Sequence, residues 1–127
     1  MPGAGAVVLE AKAEEFADVL KMGRTENQDA VPMTLGQEFS AYAVMIDSAM
    51  AALQHAGEEF HDINMGATAI GTGLNSPPGY ADLVTKKLSE VSGFALRRAR
   101  NLVEATQNAG SFAQMSATMK RAAVQIS

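Results

Sequence analysis

No cysteine and no tryptophan occur in the 127 residues, and aromatic side chains make up only 6% of them. The first absence excludes disulfides, thiolate nucleophiles and zinc–thiolate sites. No apolar run approaches the roughly 20 residues of a membrane-spanning helix, and the first residues lack the charged lead of a signal peptide, so the expectation is a cytoplasmic protein with no membrane partner. Cations are also scarce: Lys and Arg total 10 against 14 Asp and Glu, for a net charge of −4. Arg97, Arg98 and Arg100 form the one cationic cluster. A solvated loop accounts for them, so no nucleic-acid partner is expected, because phosphate binding needs many clustered cations. What the chain does have is a hydrophobic content of 47%, enough for one core and a single domain at most.

The apolar residues recur at helical spacing. Met1 to Val8 is a glycine-interrupted lead expected to fray. Leu9, Ala13, Phe16 and Leu20 then mark an amphipathic helix that ends by Gly23. From Leu35 to Ile63, Phe39, Tyr42, Ile46, Ala49, Leu53, Ala56 and Phe60 alternate three and four apart, the seam of a helix that packs on other helices. Such a helix would span roughly 43 Å, more than the diameter of about 36 Å expected of a compact globule of this length. A shorter helix runs from Ala81 to Ser92, closed by Gly93. Asn101 with Glu104 is an N-cap pair, and Phe112, Met115, Met119, Ala122 and Ile126 continue the helical spacing. The predicted fold is all-α: an elongated helical bundle with two long helices, shorter flanking helices, a glycine-rich loop from Met65 to Gly79, and no sheet. Its apolar seams predict a homo-oligomer through the long helices. Covering an extra 600 Å² or so at about 25 cal/mol per Å² offers about 15 kcal/mol gross, enough to outweigh association costs of about 4 to 15 kcal/mol when the seam packs well.

Polar groups concentrate between Lys21 and Glu38. Gly23 and Pro32 read as interruptions of regular structure, one too free and the other without an N–H, with Arg24 to Asp29 crowding the turn between them. Thr34 and Gln37 form a capping box that restarts the helix.

Other chemistry fits poorly. Gly66 and Gly71 have phosphate-loop separation, but Thr72 stands where lysine is needed, and Gly71-x-Gly73 lacks a third glycine and a preceding strand. Glu58 and His61 make a Glu-x-x-His step, but the second copy and further carboxylates of a di-metal site are missing, which leaves a solvated polar face. No serine sits in a G-x-S-x-G elbow. The hydroxyl and amides of the Gly23-to-Gln28 turn can hold a small carboxylate or simply satisfy the turn, and the residues alone favour the second reading.

Gly23-Arg24-Thr25, with Gln28-Asp29-Ala30-Val31-Pro32 and Thr34-Leu35-Gly36-Gln37-Glu38-Phe39, resembles the signature of the fumarase/aspartase superfamily. Asn64 to Asn75 and Leu102 to Gln107 resemble further blocks of it in the same order. The methionines of Lys21-Met22-Gly23 and Val31-Pro32-Met33, and the Asn64-Met65-Gly66-Ala67-Thr68 block, look more like its ammonia-lyase branch than like a class II fumarase. The resemblance implies that residues 9–127 are part of the family's central helical domain, with residues 1–8 outside it. It implies a C–N lyase that converts L-aspartate to fumarate and ammonia without cofactor or metal, working as a tetramer whose sites draw on more than one subunit. Thr25 and Glu26 match positions that bind the substrate dicarboxylate.

Glu26 departs from the family, which has glutamine or histidine there. A carboxylate repels a dicarboxylate by about 1 kcal/mol in water at roughly 4 Å, or about 4 kcal/mol at an effective dielectric near 20. The family's Gly-Ser-Ser catalytic loop is expected to lie beyond Ser127, so no residue here is assigned a catalytic role. The chain is expected to be a fragment unable to complete the elimination alone. The alternatives are a fragment of a class II fumarase and a non-catalytic helical oligomerisation module.

Overall fold

A computed structural model describes residues 3–127, which form two compact units, residues 3–52 with Lys120–Ser127, and Leu53–Met119. Met1 and Pro2, part of the expected fraying lead, lie outside the described residues.

The first unit begins with α1 (Ala4–Glu15). Residues expected to fray are therefore helical, and Ala6 is fully buried. The helix also stops earlier than its apolar spacing suggests, and Leu20 is 78% exposed at the start of a strand. The cause lies in the carbonyls at its end. The N–H of Leu35 donates to Val19 O at 2.8 Å and that of Gly36 to Phe16 O at 2.9 Å. Two orphan donors at the start of the next helix thus meet carbonyls of the turn after the first helix, one of which, Phe16 O, also accepts from Val19 N–H at 3.1 Å. Gly36 makes this approach possible, since a Cβ there would lie 2.4 Å from Ala13 O.

Between these helices the chain forms an antiparallel hairpin of β1 (Leu20–Thr25) and β2 (Gln28–Thr34). This corrects the expectation of no sheet within the helical fold, and the reading of Gly23 and Pro32 as breaks. Pro32 pairs with Met22, which a two-stranded ribbon permits because each strand is an edge that can leave proline's missing N–H outward. Gly23 sits where the register shifts between Met22 and Arg24. A Cβ there would meet Val31 O at 2.9 Å, so the glycine serves the bulge rather than ending the strand.

α2 (Leu35–Glu58) starts at the predicted capping box: Gln37 N–H donates to Thr34 Oγ1 at 3.2 Å, and Thr34 N–H to Gln37 Oε1 at 3.0 Å. Phe39 packs on Phe16 and Tyr42, with ring centroids 5.3 and 6.0 Å apart. The helix is 24 residues long, roughly 36 Å, and ends five residues before Ile63.

In the second unit a 3-10 turn (Glu59–His61) leads into β3 (Asp62–Ile63), which pairs in parallel with β4 (Arg97–Arg98). The ion pair from Arg97 Nε to Asp62 Oδ1 at 2.8 Å and the bond from Ala99 N–H to Ile63 O at 3.0 Å hold that pairing. These long-range partners account for the early end of α2, because helical periodicity in the sequence carries no information about them. α3 (Tyr80–Ser92) closes at Gly93 with φ 76°, as its sequence predicts. Asn101 caps α4 (Leu102–Gln107), its side chain accepting from Val103 and Glu104 N–H. Asn108 Oδ1 accepts from Gly110 N–H at 2.8 Å where α5 (Gly110–Ile126) begins. Phe60 meets Phe112 edge-on at 5.0 Å.

Among the described residues the buried apolar ones are alanines: Ala6, Ala43, Ala49, Ala56, Ala67 and Ala99. Larger side chains on the helices remain exposed, including Val44 of α2 at 65% and Val91 of α3 at 85%.

Candidate functional site

Thr25 and Glu26 come together at the tip of the hairpin. Thr25 pairs with Gln28 across a two-residue turn, and the turn residues Glu26 and Asn27 have φ of 51° and 62°. Positive φ at both central positions is the geometry whose twist matches a right-handed hairpin. Asparagine tolerates it, and glutamate adopts it at a cost. Thr25, Glu26, Asn27 and Gln28 are all exposed. The tip therefore presents a hydroxyl, two side-chain amides and one carboxylate without covering them. Arg24 Nε reaches Asp29 Oδ1 at 3.2 Å within the hairpin, so the nearest cation is already partnered.

Closer to the hairpin's base lies a second cluster. Lys21 Nζ sits 2.5 Å from Glu38 Oε2, with both side chains about two-thirds covered. Tyr42 lies one helical turn further along α2, four residues from Glu38. The hydrogen bond from Lys21 holds the Glu38 carboxyl below its ordinary range, with burial opposing and Tyr42 assisting. Glu38 in turn raises the Tyr42 phenol. Glu38 is also in the first turn of α2, where the helix dipole favours an anion. Lys21 and Glu38 border a cavity of about 550 Å³ that Met22, Arg24 and Met33 also line. Sequence reasoning missed the cluster. Glu38 and Tyr42 are four apart on one helix and could have been paired, but Lys21 arrives only through the hairpin.

The glycine-rich loop has another character. Gly66, Thr68, Gly71, Gly73, Asn75 and Gly79 all have positive φ. At Gly71, which is buried, a Cβ would lie 2.3 Å from Val103 Cα, so the loop lies directly against the α4 backbone. Its glycines serve close packing. Arg98, beside this loop, pairs with Asp82 at 3.2 Å, and Asp62 raises the Arg97 guanidinium further above its ordinary value. Two of the three clustered arginines thus have carboxylate partners.

The Glu58–His61 step is a local pair, with Nδ1 to Oε2 at 3.0 Å. The imidazole is only 19% exposed and packs on Phe94 at 5.9 Å, so it is not part of a solvated face. Among the described residues no group of three or more His, Cys, Asp or Glu could hold a metal ion, and no helix is long and apolar enough to cross a membrane.

Comparison with known proteins places this hairpin and its helices. The profile of the lyase family matches residues 6–127. The chain is 53% identical over 116 residues to an aspartate ammonia-lyase of Helicobacter pylori, covering 91% of this chain and 25% of that protein. It is 50% identical over 119 residues to the aspartate ammonia-lyase of Escherichia coli K12, covering 94% and 25%. Among solved structures, a fumarate lyase:delta crystallin of Brucella melitensis superposes with a TM-score of 0.91 at 44% identity, covering 94% of this chain and 26% of that one. A class II fumarase of Schistosoma mansoni superposes at 0.83 with 28% identity, covering 94% and 28%. The chain spans about a quarter of the length of the curated relatives it matches. With nearly every residue matched to the lyase profile, and a fold shared with a fumarate lyase and a fumarase, the chain belongs to the fumarase/aspartase superfamily of lyases.

Proposed function

We propose that this chain carries part of the dicarboxylate-binding site of an aspartate ammonia-lyase-type C–N lyase, acting on L-aspartate to give fumarate and ammonia. The observation that carries the reading is the exposed Thr25 hydroxyl on a two-residue turn, in a chain about half identical to aspartate ammonia-lyases. Thr25 and Glu26 border the substrate, Thr25 by donating its hydroxyl proton to the substrate carboxylate. The Glu26 carboxylate accepts only, so it turns toward the substrate ammonium or away from the substrate. The proton-abstracting group comes from outside residues 1–127, in which no Gly-Ser-Ser run occurs. Electrostatic stabilisation of the intermediate then supplies the larger share of the rate in the completed site.

The completed site draws on more than one copy, and the chain is cytoplasmic and homo-oligomeric through α2 and α5. Support comes from apolar side chains left exposed on both helices, among them Val44, Met45, Phe112 and Met119. A class II fumarase origin is less well supported, because the fumarase neighbour shares 28% identity against about 50% for the ammonia-lyases. A non-catalytic oligomerisation module remains the reading from another class, favoured by those same exposed faces.

The test is to supply L-aspartate to the purified chain and follow the ultraviolet absorbance of fumarate, with light scattering on the same sample. The expected result is an oligomer of the 13.3 kDa chain without turnover alone. Amide resonances at Thr25 to Gln28 should shift on adding succinate, and Thr25→Ala should abolish the shift. Turnover by the chain alone would overturn the assignment of the acid–base group elsewhere. A succinate response unaffected by Thr25→Ala would overturn the site.

A further inference from the structure

Among the described residues, no side-chain hydrogen bond ties the hairpin tip to a helix. β1 alternates in burial from Leu20, so Lys21 and Gly23 face inward, while every residue from Arg24 to Pro32 is exposed. At the base, backbone bonds from Leu35 and Gly36 and the Thr34–Gln37 capping box fix where the hairpin enters and leaves. Such a base still permits pivoting, because a two-stranded ribbon has no third strand or covering layer to brace it. Further out, among the described residues, one side-chain tie joins the hairpin to α2: Lys21 Nζ on Glu38 Oε2. The tip's own ion pair, Arg24 with Asp29, joins strand to strand and anchors neither to the helix.

The lever arm makes this tie matter. Lys21 and Thr25 are four residues apart, roughly 13 Å along a strand. A rotation of only about 5° at Lys21 therefore moves the Thr25 hydroxyl by about 1 Å, the scale of misplacement that can cost about a hundredfold in rate. We propose that Glu38 is a positioning residue: by holding Lys21 it sets the angle of the hairpin on α2, and so where Thr25 and Glu26 meet the substrate. The functional consequence rests on the dicarboxylate-binding reading above, whereas the orientation of the hairpin does not. Glu38 lies on α2 and acts through Lys21, roughly 13 Å of strand from Thr25, which distinguishes it from a catalytic residue.

The test uses the full chain and reads orientation separately from folding. Amide residual dipolar couplings report the hairpin's direction relative to α2, and hydrogen exchange of the cross-strand amides reports whether the hairpin itself is intact. Lys21→Met keeps the aliphatic stem and removes the charge, Glu38→Gln keeps the shape and removes the charge, and Lys21→Arg keeps a cation within reach. In Lys21→Met and Glu38→Gln, the couplings of β1 and β2 should shrink at least twofold through averaging. The α2 couplings should stay as in the parent, and cross-strand protection should change less than threefold. Lys21→Arg should retain the parent couplings, a rescue that loss of packing alone would not give. Parent-like couplings in Lys21→Met and Glu38→Gln would overturn the proposal. So would loss of cross-strand protection in either, since the pair would then be folding the hairpin rather than aiming it. Succinate added to the same samples separates the two readings. If the parent shows no shift at Thr25 while the couplings respond as expected, the dicarboxylate reading fails and the positioning role stands.

Discussion

The hairpin tip and the glycine-rich loop are both irregular, polar and rich in residues with positive φ, yet they reach that geometry by opposite means. At the tip, Glu26 and Asn27 adopt left-handed backbone with full side chains, in the open, on a ribbon fixed only toward its base. In the loop, four of the six left-handed positions, Gly66, Gly71, Gly73 and Gly79, have no side chain, against Thr68 and Asn75 that do, and Gly71 is pressed against α4. The tip spends its side chains on presentation and relies on distant ties for position. The loop gives up side chains so that backbone can touch backbone.

The sharpest way to break this contrast is Gly71→Ala. The new Cβ must enter space 2.3 Å from Val103 Cα and 2.5 Å from Leu102 O at φ 91°. Overpacking against backbone and a forced left-handed conformation each cost about 1 to 3 kcal/mol, so a loss of about 2 to 6 kcal/mol is expected in urea denaturation. A loss below about 1 kcal/mol would mean that α4 moves aside freely. Asn101→Ala attacks the same region from its support, because the Asn101 side chain caps α4 through Val103 and Glu104 N–H at 3.0 and 3.1 Å. About 1 kcal/mol should be lost, with Gly71 amide exchange quickening in step. If exchange there is unchanged, the loop does not depend on the α4 terminus.

At the tip the effects should be small and of either sign. Glu26→Gly removes the left-handed cost of a β-carbon but adds freedom to the unfolded chain, and should leave a net gain of about 0.5 kcal/mol in thermal melts. A clear loss would show that the Glu26 side chain makes a stabilising contact. Acid sharpens the comparison most locally. The folded Glu38 pKa lies below its ordinary value of 4.5, so its ion pair contributes fully above about pH 4.5 and is lost as pH falls through the lowered folded value. Hairpin couplings in the parent should therefore weaken over that acidic range. Glu38→Gln should already show weak couplings at neutral pH and lack this step. A parent profile identical to that of Glu38→Gln would mean that Glu38 does not hold the hairpin.

How much of this was legible in the sequence differs by element. The capping box, the Gly93 stop and the Asn101 cap were readable because each is settled within three or four residues by side chains that satisfy nearby N–H groups. The hairpin was not, because Gly23 and Pro32 carry local signals that a two-stranded ribbon with a bulge overrides. Thr25 and Glu26 stood out through family resemblance rather than through their chemistry, and the structure adds that they share one turn. The Lys21–Glu38 tie spans 17 residues and has no local signature at all.

By itself, then, the sequence determined the helical class, the start of α2, the ends of α3 and the cap of α4, and membership of the lyase family, since periodicity, caps and motifs are written in neighbouring residues. Only the tertiary structure decided where α1 and α2 stop, that the polar stretch between them is a hairpin, and that Glu38 holds Lys21 at its base. The physical reason is that these features depend on carbonyls, amides and charges brought together from distant parts of the chain. Their energies exist only once the chain has folded.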